Sequence, residues 1–365
     1  VTPDGWDSRE LLEPSKDDRT RTFDDEGDAR VLRTWRAMCP ELQERWPEDE
    51  QPEDWGGVTI ENGRVVELEL QDFDLTGAVP AEIGRLRALR QLNFSINQLT
   101  SVPAEIGQLT SLEVLDLRDN RLTSVPAEIG QLTSLRCLWL FSNKLTSLPA
   151  EIGQLASLEQ LQLDGNQLTS VLAEIGQLTA LRELNLECNE LTSVPAEIGQ
   201  LTSLVQLLLI GNKLTSLAVE IGQLAALREL KLGGNQLTSL PAEIGQLTSL
   251  EQLYVSDNKL TSLPSEIGQL TALTRLHLDG NKLTSLPAEI GQLAALRELK
   301  LGGNQLTSVS AEIGQLALLE QLHLYANKLT SLPAAIRELR AAGCLVFLDD
   351  GVTVSSTNST FVRVE

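Results

Sequence analysis

The chain has 365 residues, 42% hydrophobic and only 4% aromatic, and its 51 acidic against 29 basic residues leave a net charge of -22. That balance argues against a nucleic-acid or anionic-membrane partner, because holding phosphates requires clustered Lys and Arg. No apolar stretch reaches twelve residues, too few for a membrane-spanning helix. No basic-then-apolar leader opens the sequence, although one trimmed before residue 1 would change the expected compartment.

In chain order, residues 1–28 carry ten acidic and four basic residues with little apolar material, and are expected to be loosely ordered. Residues 29–66 read as a helical N-terminal cap. Val31, Leu32, Trp35, Met38 and Leu42 follow helical spacing, broken at Pro40, and are expected to pack on the first strand together with Trp46 and Trp55. Residues 67–340 form one repeat array. Residues 341–365 read as a C-terminal cap and tail, in which residues 345–348 fall 23 residues after Leu322, as a last strand, and Asp350 replaces the repeat asparagine.

Self-similarity dominates the centre. Eleven asparagines, from Asn97 through Asn120 and Asn143 to Asn327, stand 23 residues apart in one phase. Around nine of them lies L-x-x-L-x-L-x-x-N-x-L, as in Leu112, Leu115, Leu117, Asn120 and Leu122, and around Asn97 and Asn258 the third leucine is Phe94 or Val255. The L-x-L alternation predicts a short strand with inward leucines, paired in parallel with the next repeat's strand. Asn120 is positioned to serve unpaired loop backbone as both donor and acceptor. In the segment that follows, Pro126 suits the first helical position, Glu128 the positive helix end, and Gly130 a short helix. No repeat buries its leucine face alone, so the array is one solenoid roughly 60 Å long at about 4.8 Å per strand.

This pattern resembles the leucine-rich repeat. The 23-residue form L-T-S-L-P-A-E-I-G-x-L is similar to the Ras-suppressor-like, plant intracellular Ras-group class. Residues 54–58 and 63–70 resemble the N-terminal cap of plant leucine-rich repeat proteins, usually C-x-W-x-G-V-x-C. Here Glu53 and Ile60 occupy the cysteine positions, and the first repeat, with Phe73 in place of asparagine, carries one extra residue. The resemblance implies an α/β solenoid: a curved, right-handed horseshoe with a concave parallel sheet of about 12–13 short strands and short helical segments on the convex side.

Variation is confined to one face. The convex motifs repeat almost unchanged. The outward strand positions run Asn93, Asp116, Trp139, Gln162, Asn185, Leu208, Lys231, Tyr254, His277, Lys300, His323 and, two residues on, Ser95, Arg118, Phe141, Asp164, Glu187, Ile210, Gly233, Ser256, Asp279, Gly302, Tyr325. Aromatic and apolar groups on a solvent-facing sheet point to a protein interface; the competing reading is that neighbours cover one another. The candidate binding residues are Asp116, Arg118, Trp139, Phe141, Asp164, Glu187, Leu208, Ile210, Tyr254, His277, Asp279, His323 and Tyr325. Asp116, Asp119, Asp164, Glu183 and Glu187 make the middle acidic, which favours a partner with basic patches. His277 and His323 lie about 10 Å apart with Lys300 between them, so no metal is expected.

No nucleotide-binding glycine loop, nucleophile elbow, H-E-x-x-H or C-x-x-C occurs, so neither catalysis nor a cofactor is expected. Cys39, Cys137, Cys188 and Cys344 are too far apart in a solenoid to pair, which suits a reducing, cytoplasmic setting, or an extracellular one had a leader been removed. Asn358 heads a glycosylation triplet. The expected function is a non-catalytic, protein-binding module, monomeric by preference. The alternative is a receptor-like or immune-type recognition protein diversified by duplication, since residues 226–239 recur at 295–308.

Overall fold

The structure is a computed structural model that describes residues 27–354; most of the acidic first segment and the Asn358 triplet lie outside the described residues. Helix α1 (Asp28–Met38) and helix α2 (Pro40–Arg45) lead into the antiparallel pair β1 (Val58–Glu61) and β2 (Arg64–Glu69). Twelve further strands follow β2 in chain order and in parallel, giving a 14-stranded sheet that curves along the solenoid. Register advances one repeat per strand, as in Leu115↔Leu138↔Leu161. Each of the eleven strands from Gln91–Asn93 to Gln321–His323 buries its central leucine completely, so the period-2 alternation directs one row inward and leaves the flanking rows for the concave face.

On the convex side every regular repeat makes one five-residue 3-10 helix, such as Ala104–Gln108 and Ala127–Gln131. The proline stands one position earlier than expected, as the extended residue before the helix (Pro126, φ -70°, ψ 153°). Leu172, Ala218 and Ser310 replace that proline and keep nearly the same backbone. The glycine acts between repeats rather than within one. A Cβ on Gly107 would stand 2.6 Å from the Glu128 carbonyl oxygen of the next repeat, and Gly130 faces Glu151 in the same way. Convex segments thus pack backbone to backbone, which a side chain would prevent.

The asparagines form the expected ladder. Asn120 accepts the Leu99 N–H through Oδ1 (2.9 Å) and donates through Nδ2 to the carbonyls of Phe94 (2.8 Å) and Leu117 (3.2 Å). The same bonds recur along the array, so the loops that leave the strands can be buried without orphaned backbone groups.

At the N-terminal end, Trp46 stacks on Trp55 with centroids 4.8 Å apart, and Trp35 meets both Trp46 and Phe94 edge-on. Gly57, from the W-x-G-V segment, has φ 81° and carries its carbonyl to the Glu69 N–H, so a Cβ there would collide with Glu69. Met38 does not join this core; it is 55% exposed. Its helix ends there, at a Cys39 that turns the chain into α2.

At the C-terminal end the register is offset by one residue from the expected alignment. Val346, not Leu345, pairs with Leu322, and Leu345 is 51% exposed. The last repeat replaces its 3-10 turn with a longer α-helix, α3 (Ala335–Ala341), followed by Gly343 at φ 101°, which adds one residue to the period. Asp350 consequently does not occupy the asparagine position; Asp349 instead accepts the Asn327 N–H (3.4 Å).

Candidate functional site

The concave face is built from columns that run across the repeats, one residue per strand. Because parallel pairing is in strict register, residues 23 positions apart become lateral neighbours, as in Asp116↔Trp139↔Gln162 and Lys231↔Tyr254↔His277↔Lys300↔His323. The candidate residues all belong to this face, but the structure joins them in groups rather than as one open surface.

The first group lies in the early repeats. Arg118 holds its guanidinium carbon 5.8 Å from the Trp139 ring centroid and 5.5 Å from that of Phe141, and its Nε lies 3.2 Å from Asp116 Oδ2. Both rings are half-buried under this cation. Asp116 is not the solvent-facing acid expected from sequence: it is 2% exposed. Burial pushes its carboxyl up to about 6, although Arg118 pulls the other way. A short aspartate between larger neighbours sinks beneath them, and alternation alone cannot show that.

The second group is acidic and apolar. Asp164 and Glu187 are half-buried, and burial raises both carboxyls above the usual range. Glu183 does not stand free beside them, because Gln162 donates to it at 2.7 Å. Leu208 is also not solvent-facing: it is 8% exposed, while Ile210 stays half-open. Leu208 is flanked in register by Asn185 and Lys231. Asp116 and Leu208 are thus buried on the concave face rather than open to solvent.

The third group is aromatic and ionic. Tyr254 meets His277 edge-on at 4.5 Å and lies 5.7 Å below the Lys231 ammonium. Glu298 gathers Lys300 (2.9 Å), His277 (3.3 Å) and Arg275 (3.8 Å). Burial acts to raise the Glu298 carboxyl, but hydrogen bonds from Lys300 and His277 outweigh it and leave it low. Burial, then Lys300, lowers both His277 and His323. His323 stacks on Phe347 at 4.3 Å, and Tyr325, 37% exposed, closes the face. Asp279 spends one oxygen on the Gly302 N–H (3.0 Å). Among the described residues no group of three His, Cys, Asp or Glu is placed to hold a metal ion.

Of one column the sequence reading names only Glu183. Two residues before each middle position stand Cys137, Gln160, Glu183, Glu229, Gln252, Glu298 and Gln321, and these anchor the middle column: Glu229 to Lys231, Gln252 to Tyr254, Gln321 to His323. The same L-x-L alternation would have found it, since both flanks of an inward leucine face outward. Burial pushes the Cys137 thiol in this column up to about 11.

With that geometry in place, comparison with known proteins is specific for the fold. The chain matches the family described as Leucine-rich repeat region over residues 61–219 and 218–305. No curated protein sequence matches significantly. Among solved structures, a leucine-rich repeat protein of Leptospira interrogans is 40% identical, with 75% of this chain and 81% of that one covered and a TM-score of 0.50. The plant peptide hormone receptor RGFR1, solved in complex with RGF2, is 32% identical with 82% and 53% covered and a TM-score of 0.73. The Arabidopsis receptor kinase HAESA, in complex with the peptide hormone IDA and the co-receptor SERK1, is 26% identical with 90% and 65% covered and a TM-score of 0.68. The chain thus spans about half the length of the RGFR1 chain that it matches. On the repeat, the register and the family match together, the chain belongs to the leucine-rich repeat family.

Proposed function

We propose that this chain is a non-catalytic recognition module that binds a protein or peptide partner on its concave sheet. One observation carries the reading: diversity and aromatic side chains concentrate on the concave columns, while the convex positions of the same repeats stay nearly constant. A scaffold alone has no packing reason for that contrast, whereas interfaces favour aromatic and Arg anchors. The Trp139–Arg118–Phe141 group is such an anchor, held in place before any partner arrives. Two similar structures, RGFR1 with RGF2 and HAESA with IDA, hold peptide hormones, which supports a peptide or protein ligand here. The acidic middle of the face, with Asp164 and Glu187, favours basic segments in the partner.

The L-T-S-L-P-A-E-I-G-x-L repeat supports a place in the Ras-suppressor-like, plant intracellular Ras-group class. The four cysteines, all unpaired, support a reducing compartment. The second reading is a receptor-like or immune-type recognition protein diversified by repeat duplication, favoured by the recurrence of residues 226–239 at 295–308. A pull-down comparing the protein with the Trp139→Ala/Phe141→Ala/Ile210→Ala variant tests the concave site. The expected result is loss of the partner with the fold intact by circular dichroism; partners that all survive these changes refute it.

A further inference from the structure

Residues 220–239 and 289–308 are identical in sequence, so the two copies differ only in what surrounds them. Each supplies one strand, Glu229–Lys231 or Glu298–Lys300, followed by two glycines. The second glycines, Gly234 and Gly303, share φ 64°. In both copies the lysine pairs with the glutamate two residues earlier, at 3.0 and 2.9 Å.

The first glycine is where the copies part. At Gly302, Asp279 of the preceding repeat accepts the backbone N–H at 3.0 Å. The Tyr325 ring of the following repeat lies across the same residue, so close that an added Cβ would stand 2.6 Å from its Cζ. Gly302 is buried as a result. At Gly233 both neighbours are different: Ile210 stands in the place of Asp279, and Ser256 in the place of Tyr325. Ile210 offers no acceptor and Ser256 no ring. A Cβ on Gly233 would meet only the Ser256 carbonyl oxygen at 3.5 Å and Ile210 Cγ1 at 3.9 Å. Gly233 is open in part to solvent, and its N–H has no partner among the described residues.

We propose that Gly233 is a binding slot for an aromatic side chain that a protein partner presents beside a carboxylate. The partner's ring lies over Gly233 and its carboxylate accepts the Gly233 N–H, the two roles that Tyr325 and Asp279 fill from within the chain at the second copy. The free N–H and the Lys231 ammonium favour an anion here, against Glu229, which pairs with that lysine, and Glu187, which lies within its field, so the N–H carries the selectivity. The second copy shows that a carboxylate on this N–H is compatible with an intact Lys–Glu pair. The inference rests on the concave face being the partner site, and it adds the chemistry that one position of that face selects.

The test uses 15N-labelled full chain titrated with the acetylated dipeptide amides Tyr-Asp and Asp-Tyr. The Gly233 amide resonance is expected to shift saturably with a Kd of about 1 mM, while Gly302, already occupied, stays fixed. Dipeptides with Ala for Tyr or Asn for Asp bind at least about fivefold more weakly. Gly233→Ala, which has room for its methyl, weakens binding without unfolding the chain. Ser256→Tyr fills the slot from within and abolishes the shift. A Gly233 amide that does not move up to about 10 mM peptide, or that moves equally in Ser256→Tyr, overturns the proposal. If a partner lost by the Trp139/Phe141/Ile210 variant is fully retained by Ser256→Tyr, the slot fails while the concave reading stands; if both variants retain it, both fail.

Discussion

Replacing Asn212 by alanine tests what holds the solenoid together. Asn212 donates to the carbonyls of Leu186 (2.9 Å) and Leu209 (3.1 Å) and accepts the Leu191 N–H (3.0 Å). Alanine removes these three bonds and a longer one to the Ile210 carbonyl (3.5 Å), which keeps the Cys188 N–H, but their consequences differ. The Leu186 carbonyl keeps Asn189 at 3.2 Å and the Leu209 carbonyl keeps Asn235 at 2.9 Å. The buried Leu191 N–H keeps nothing. Leaving a buried donor unsatisfied costs about 1–3 kcal/mol, and each bond lost from an otherwise satisfied carbonyl about 0.5–1.5 kcal/mol, so Asn212→Ala is expected to destabilise by about 4 kcal/mol. Asn327, at the end of the ladder, makes the equivalent bonds to Leu301, Leu324 and Leu306 but is only half-buried. Water can replace them there, and Asn327→Ala should cost about 1 kcal/mol. Urea unfolding followed by tryptophan fluorescence and circular dichroism, with m unchanged, reads both values. If Asn212→Ala costs no more than Asn327→Ala, the ladder is not what satisfies the buried loops and the reasoning is wrong.

Three further expectations follow from particular positions. In Gly199→Ala the new Cβ stands 2.6 Å from the Glu220 carbonyl oxygen, so thermal unfolding should show a loss of about 3 kcal/mol; an unchanged Tm means that the convex segments are not in close contact. Leu172→Pro places proline where φ is -75° and ψ 155°, matching its unsubstituted neighbours, and should stabilise by about 0.4–1 kcal/mol in the same assay. The buried Asp116 carboxyl, raised to about 6, makes the native state hold the extra proton. Stability from this group is therefore greatest below the unfolded value of about 3.9 and falls as pH rises through about 6. Asp116→Asn should remove that slope from the stability–pH profile between about pH 4 and 7, and a profile identical to that of the wild type refutes the burial assignment.

The repeat, its period and the strand alternation are local properties, and the sequence displays each of them. Eleven phased asparagines beside L-x-L leave few architectures that bury those leucines, and the ladder at Asn120 follows from side-chain chemistry. The N-terminal cap was legible for a similar reason: its tryptophans are too large and too clustered to be left in water. Most of what the sequence leaves undecided is a question of neighbours. Asp116 and Leu208 are correctly placed on the concave face by alternation, yet adjacent repeats bury both. Gly130 looks like a helix terminator along the chain and is instead the contact point with Glu151. The last strand shifts by one residue because α3 outlasts the 3-10 turn it replaces.

By itself, then, the sequence determines a leucine-built solenoid and the face on which its variation lies, because 23-residue phasing and two-residue alternation act within a single repeat. Only the tertiary structure decides which of those outward residues remain open. Stacking sets residues 23 apart side by side, and a side chain's exposure depends on the size and charge of what the next repeat places beside it. Gly233 and Gly302 are the clearest case: identical sequence surrounds both, and only Ile210 and Ser256, against Asp279 and Tyr325, make one a vacant slot and the other a filled one.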